Sequence, residues 1–370
     1  MFVACFLNKE CMENNHCLPN VKQARTILNN IEYNSPVMHL NPTEHVVKSD
    51  NEYFLSQLIN GKYTIKPNIS QQGVLYYGNS GMTKCMTCLK AGYRLLFTNR
   101  DELMYNNVLL EQFALLIKSF PLFKLLNKGI NIPELNISFS MPINPYALAP
   151  IYGLNSPFLN LTSSKDVAMF YATNVYDENE KRFKPSKKDS IGIIYVYNME
   201  HPLGTMSELS VLGVQPFYRT LNSKTFSCVL RDRANFSNKN NVSTIIFTQD
   251  KKVSEYYLNM FDGGEKLRPY DDFLSLKWNN IKNDIYEKAI IENLKKNPYD
   301  DYDANIKTLQ KRIGHNILKG SPSFTKEDLA TVDLEILWHT MIEKLKNIWN
   351  GFHLSRNIFI IFSQINVIIC

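Results

Sequence analysis

The chain predicts an α+β fold: a small, mostly antiparallel sheet flanked by helices, with a helical C-terminal region. Three observations carry that expectation. The segment IGIIYVY at residues 191–197 is apolar on both faces, as an inner strand is. Residues 100–120 set Leu103, Leu109, Leu110, Phe113, Leu116, Ile117 and Phe120 on one broad helical face. From about residue 280 to Gly351 the pattern is helical and more charged, broken at Pro298 and at Gly320-Ser321-Pro322-Ser323.

Along the chain, residues 1–66 are polar and Asn-rich and predict a loosely organised N-terminal region with one helix near residues 50–59. The first convincing strand is GVLYYG at 73–78, running into the turn formers Gly78-Asn79-Ser80-Gly81. Asn99 and Glu102 stand at capping-box spacing before the 100–120 helix, as do Thr98 and Asp101 one residue earlier, and Pro121 ends it. Ser163 and Asp166 repeat the spacing ahead of a shorter helix carrying Val167, Ala168, Phe170 and Tyr171. TFSCVL at 225–230 and STIIFT at 243–248 predict strands separated by a polar loop. A helix over 251–261 stops at Gly263-Gly264, and Thr325 with Asp328 restarts the helical pattern near the C-terminus. The expected divisions are 1–66, 67–280, 281–351 and an apolar tail, 352–370.

With 370 residues, 44% hydrophobic and 21% charged, the chain has material for a true core, which disfavours disorder, collagen and coiled coil. Its +6 charge comes with 31 Lys, 10 Arg and 41 Asn, a mixture that fits AT-rich coding and forms no basic cluster. Nucleic-acid binding is therefore not expected. Nor is a membrane span, because no run reaches about 18 consecutive apolar residues. Seven cysteines, an odd and modest number, do not describe a disulfide scaffold. Cys5, Cys11 and Cys17, with His16 beside the third, lack the two close pairs of a structural zinc site. Cys85 and Cys88 form a single CxxC without a thioredoxin-like setting. The expectation is a reduced, cytoplasmic protein without metal. MFVACFL has no basic residues before it and does not read as a secretory signal. NIFIIFSQINVIIC, residues 357–370, fits a buried strand or a protein-contact segment. The sequence contains no GxxxxGK[ST], HExxH or GxSxG, and no GxGxxG after a strand.

Four segments in order resemble the FRG domain, a bacterial and phage-borne family named after a Phe-Arg-Gly strand motif. LYYGNSG at 75–81 takes the place of that motif, before a helix holding Glu102 and Glu111. APIYGLNSPFLNLTSSKDVAMFYA at 149–172 is similar to the family's QHYGLPTRLLDWT…VALYFA stretch. Tyr152, Gly153, Leu154, Leu159, Thr162, Val167, Ala168, Tyr171 and Ala172 fall in register there. QPFYRTLNSKTF around Arg219 is similar to a late Arg/Gln strand, and LNMFDGGEKLRPYDDF at 258–273 to a closing helix and FPDLDG turn. The resemblance spans about residues 67–280. It departs at charged positions: the motif Arg is Tyr77, Gln-His is Pro150-Ile151, Pro-Thr-Arg is Asn155-Ser156-Pro157, and Asp-Trp is Asn160-Leu161. The late Gln falls near Ser223 or Lys224. An Arg presents a fixed fork of donors that Tyr does not replace, so the resemblance speaks more for the scaffold than for the chemistry.

The order of elements is also similar to ADP-ribosyltransferases, which implies a cleft for an NAD-like nucleotide. By that resemblance Tyr77 and Gly78 would lie beside the nucleotide, Gly permitting close approach. Thr162 and Ser163 would donate at a helix N-terminus. Tyr171 would supply a ring, and Arg219 would pair with a phosphate. Tyr77 and Arg219 are the catalytic candidates, with Glu208 and Gln215 nearest to the expected final acidic position. Each residue also fits a structural role: Tyr77 as a cross-strand aromatic, Thr162 and Ser163 as caps, Tyr171 as core, Arg219 as a surface ion-pair partner. The alternative function is a non-catalytic binding or sensor module in a bacterial or phage defence or toxin–antitoxin system, with a protein partner on the tail.

Overall fold

The computed structural model describes residues 18–31, 44–49, 53–61, 63–67, 73–80, 97, 99–132, 137–140, 143–198, 209–211, 217–229, 236, 241–269, 272–296, 302–313 and 317–344. Helix α1 (Val21–Asn29) opens on a capping box between Asn20 and Gln23, and buries Val21, Ala24 and Leu28 at helical spacing. Strands β1 (Glu44–Ser49), β2 (Tyr53–Leu58), β3 (Tyr63–Pro67) and β4 (Val74–Ser80) follow. Helices α2 (Arg100–Ser119) and α3 (Pro121–Lys128) lead to β5 (Ile130–Ile132) and β6 (Ile137–Ser140). A short α4 (Pro145–Leu148) runs into a 3₁₀ turn over Ala149–Tyr152. Then come β7 (Phe158–Thr162), α5 (Lys165–Thr173), the hairpin of β8 (Asn174–Asp177) and β9 (Arg182–Pro185), β10 (Ile191–Asn198) and β11 (Leu209–Val211). Helix α6 (Tyr218–Ser223), β12 (Thr225–Val229), β13 (Val242–Thr248) and α7 (Lys251–Met260) complete the region around the main sheet. The C-terminal part adds α8 (Phe273–Ile281), α9 (Glu287–Lys296), α10 (Tyr302–Ile313), α11 (Lys326–Ala330) and α12 (Leu334–Lys344).

The fold is α+β. Its main sheet has the order β11-β12-β7-β4-β10-β13, and every pairing in it is antiparallel. A second sheet, β1-β2-β3-β6-β5, is antiparallel apart from the β3–β6 pair. Strand β10 shows why IGIIYVY is apolar throughout. Ile193, Tyr195 and Tyr197 pack with Leu75 and Phe236 on one face. Ile194 and Val196 pack with Val167, Phe170 and Phe247 on the other.

Helix α2 is enclosed over most of its circumference. Phe113, Leu116 and Ile117 are fully buried with Phe120 in the largest apolar cluster, and each such side chain contributes about 1.5–3 kcal/mol. Buried Gln112 is also on α2. Its amide donates to the carbonyls of Ile281 and Asp284, at 3.1 and 2.9 Å, and its oxygen accepts from Tyr286 N–H. All three of its bonds therefore tie the C-terminal helices to α2. Trp338 of α12 joins the same cluster, while Leu28 of α1 packs with Val196 of the main sheet. Packing thus runs across the divisions expected at residues 66 and 280. Asn99 caps α2, its side chain accepting Glu102 N–H at 2.9 Å. Asn99→Ala should lower stability by about 1 kcal/mol, and a chemical denaturation curve unchanged within error would contradict that role.

Four local expectations are corrected. Residues 53–58 form β2, not part of a helix over 50–59, because Tyr53, Leu55 and Gln57 pair with Pro67, Ile65 and Tyr63 of β3. Gly78, Asn79 and Ser80 are strand, not turn, since they pair with Ile194, Ile193 and Gly192 of β10. The cap of α5 is Ser164, whose hydroxyl accepts Val167 N–H at 3.3 Å, and not Ser163. Arg219 sits on helix α6 rather than on a strand, which begins only at Thr225. The Thr325–Asp328 capping box is present as expected. Among the described residues, no helix is long and apolar enough to cross a membrane. The N-terminal cysteines, the Cys85–Cys88 pair and the apolar tail lie outside the described residues.

Candidate functional site

A cavity of about 660 Å³ opens where β4, β7, α5, the β8–β9 hairpin and α6 meet. That volume suits a drug-sized or nucleotide-sized ligand. Tyr77, Gly78, Thr162, Tyr171 and Arg219 all line it, so residues far apart in sequence share one cavity. Ser163 is not in the lining; its backbone N–H donates to the Lys224 carbonyl at 3.2 Å.

The strands and helices explain this convergence. Tyr77 is opposite Tyr195 of β10, with ring centroids 6.2 Å apart, and one end of its strand remains at the cavity. Tyr171, near the end of α5, is half-buried and packs edge-on against Phe170 and Phe183. Burial raises the pKa of its hydroxyl, so the ring faces the site as a neutral phenol. Asn106 of α2 donates to the carbonyl of Asn155, a lining residue, at 2.9 Å and holds the segment before β7 in place.

Two of the sequence candidates also make close contacts within the protein itself. The Thr162 hydroxyl donates to the Ser223 carbonyl at 2.7 Å and accepts Ser164 N–H at 3.0 Å. A hydroxyl has one proton, so Thr162 joins β7 to α6 and does not donate to a ligand from this arrangement. Gly78 also has a packing role. A side-chain carbon there would stand 1.8 Å from the Ala168 carbonyl oxygen, so it is the α5 backbone that fills the space.

Arg219 corrects another expectation: it is 6% exposed and no surface ion-pair partner. Its Nε lies 2.8 Å from Oδ2 of fully buried Asp272. Nη1 donates to the Ile151 carbonyl at 3.1 Å, and the guanidinium stands 4.8 Å from the centre of the Tyr152 ring. Nε and Oδ2 are close but not aligned for a hydrogen bond, so the contact is chiefly Coulombic. Burial pushes the Asp272 carboxyl above its usual range, against the pull of Arg219.

The sequence reading missed Arg268, which also lines the cavity. It follows a 3₁₀ turn at Asp262–Gly264, where Gly264 adopts φ +100°, and its guanidinium stacks 3.4 Å from the Tyr176 ring centre. Nothing in the local sequence distinguishes this Arg; only the Gly-Gly turn that mounts it was legible. Asn79 Nδ2 and Asn174 Oδ1, two further lining groups, are buried without a hydrogen-bond partner among the described residues. Both atoms are thereby available to a polar group in the cavity.

Glu208 and Gln215 lie outside the described residues. Among the described residues, no three His, Cys, Asp or Glu side chains gather into a metal-binding group. No family model, curated protein or solved structure matches the chain.

Proposed function

We propose that this chain is a divergent FRG-domain protein that binds an NAD-like nucleotide in the 660 Å³ cavity. One observation carries the reading: each of the four FRG-like segments contributes residues to the lining of the same cavity. Tyr77 comes from the first, Asn160 and Tyr171 from the second, Arg219 and Ser223 from the third, Leu267 and Arg268 from the fourth. Aromatic faces with a few convergent polar groups suit a ligand with flat rings and polar linkers.

Calorimetric titration of the full chain with NAD, ADP-ribose and adenosine tests the reading. Saturable binding of NAD is expected, and Tyr77→Leu should weaken it by about 1–3 kcal/mol if Tyr77 stacks on a ring. Absence of binding by all three compounds would remove the nucleotide reading. Whether the bound nucleotide is cleaved is a separate test: transfer or hydrolysis of labelled NAD in lysate supports an ADP-ribosyltransferase-like enzyme. A second reading, a non-catalytic sensor module, is favoured by the engagement of Thr162 and Arg219 in the protein's own bonds. It predicts NAD binding without turnover.

A further inference from the structure

Three charged side chains line the cavity among the described residues, and they are unevenly matched: Arg219, Arg268 and Glu178. Arg219 has the buried Asp272 at 2.8 Å. Arg268 has only Glu178, at 3.9 Å, and that carboxylate is 81% exposed on the turn of the β8–β9 hairpin. A contact so long and so open to water contributes little. No guanidinium N–H of Arg268 hydrogen-bonds to a described residue, and its Nε is buried. Burial, and then the neighbouring Arg219 charge, lower the pKa of Arg268, so its cationic form is held at a cost that an anion would relieve.

The mounting of Arg268 is rigid. Its backbone N–H and that of Leu267 both donate to the Gly264 carbonyl at 2.9 Å, and Leu267 is 1% exposed in the core beneath. The Tyr176 face fixes the plane of the guanidinium. Stacking uses the face of the cation and leaves the in-plane donors at its edge for another partner.

We propose that Arg268 is the anchor for a phosphate group of the ligand, with Tyr176 orienting the guanidinium and Glu178 acting as the counter-ion that the phosphate displaces. The inference rests on the nucleotide reading and deepens it, naming which part of the ligand is held and where. A phosphate fits better than a single neutral acceptor, because the planar fork of Arg donates two parallel bonds to it. No bond is made or broken in this step; one ion pair replaces another.

The full chain would be titrated with AMP, adenosine and inorganic pyrophosphate, each followed by calorimetry and by thermal melting. AMP and pyrophosphate should bind, and AMP should bind more tightly than adenosine. Arg268→Ala should weaken AMP about 10- to 100-fold, the loss expected for charged hydrogen bonds, while leaving adenosine unchanged. Glu178→Gln, at an exposed position that leaves the fold intact, should leave AMP binding intact or strengthen it modestly. The phosphate anchor is overturned if AMP and adenosine bind equally, or if Arg268→Ala leaves AMP affinity unchanged. If NAD and adenosine fail to bind but pyrophosphate binds in an Arg268-dependent way, the nucleotide reading falls and the anchor stands. Binding of none of these probes overturns both.

Discussion

Replacing Arg219 with methionine is expected to cost about 3–5 kcal/mol at neutral pH, the range for removing one partner of a buried ion pair. The substitution keeps most of the stem that packs near Tyr152 but leaves Asp272, fully buried, without its counter-charge. It also frees the Ile151 carbonyl from its 3.1 Å bond. The sign of the pH dependence follows from the direction of the Asp272 shift. In the parent protein the folded-state pKa lies above the ordinary range for an aspartate, raised first by burial and held back by Arg219. A raised carboxyl pKa contributes stability that is present below the unfolded pKa and is lost as pH rises through the folded one. Without Arg219 the folded pKa moves higher still, so the loss extends further up the pH scale. The stability gap between variant and parent should therefore be small near pH 4 and widen towards neutrality, as urea titrations at several pH values would reveal. Adding Asp272→Asn to the variant removes the stranded charge and keeps an oxygen to accept Leu274 N–H, now 3.3 Å from Oδ1. The double variant should recover most of the loss. A gap that does not change with pH, or a double variant no better than the single, would mean that Arg219 acts through shape rather than charge.

This pair also shows where the sequence stops being informative. Locally encoded features were readable: Asn99 as a cap, the Thr325–Asp328 box, the stop at Gly263-Gly264, and the two-faced apolar strand at 191–197. They depend on residues within a few positions of one another. Strand β2 was misread because Tyr53, Phe54, Leu55 and Leu58 satisfy a helical face nearly as well as a strand, and only pairing with β3 decides between them. Of the site, the aromatic and glycine positions could be found through the order of four segments. Their roles could not be. Arg219 looked like a surface residue because Asp272, its partner, is distant along the chain. Arg268 carried no signal at all, since a single Arg after a turn gains meaning only when Tyr176 and Glu178 are brought beside it.

Gly78→Ala should be among the most damaging single changes, costing about 3 kcal/mol, the upper end of the usual range for overpacking. The added carbon would sit 1.8 Å from the Ala168 carbonyl oxygen, 2.7 Å from the Ala168 carbonyl carbon and 3.0 Å from Ala172 N. Those are backbone atoms of α5, which no rotamer change moves aside. Strand β4 has little room to retreat, being paired with β10 along its length and bridged to β7 at Tyr76 and Thr162. Helix α5 must then lift, opening the contacts of Val167 and Ala168 with Tyr76 and Val196. Gly192 offers a comparison, since a side chain there meets mainly the Phe247 ring and the Gln249 amide, which are side-chain atoms. Gly192→Ala should thus be milder in a parallel denaturation series. Because α5 carries Val167 and Tyr171 into the cavity wall, Gly78→Ala should also weaken ligand binding together with stability. Tyr77→Leu, one residue earlier, should weaken binding while sparing most of the stability. If Gly78→Ala melted within a degree or two of the parent, the close helix–strand contact would not exist in solution, and the glycine of LYYG would have to be explained by the ligand after all.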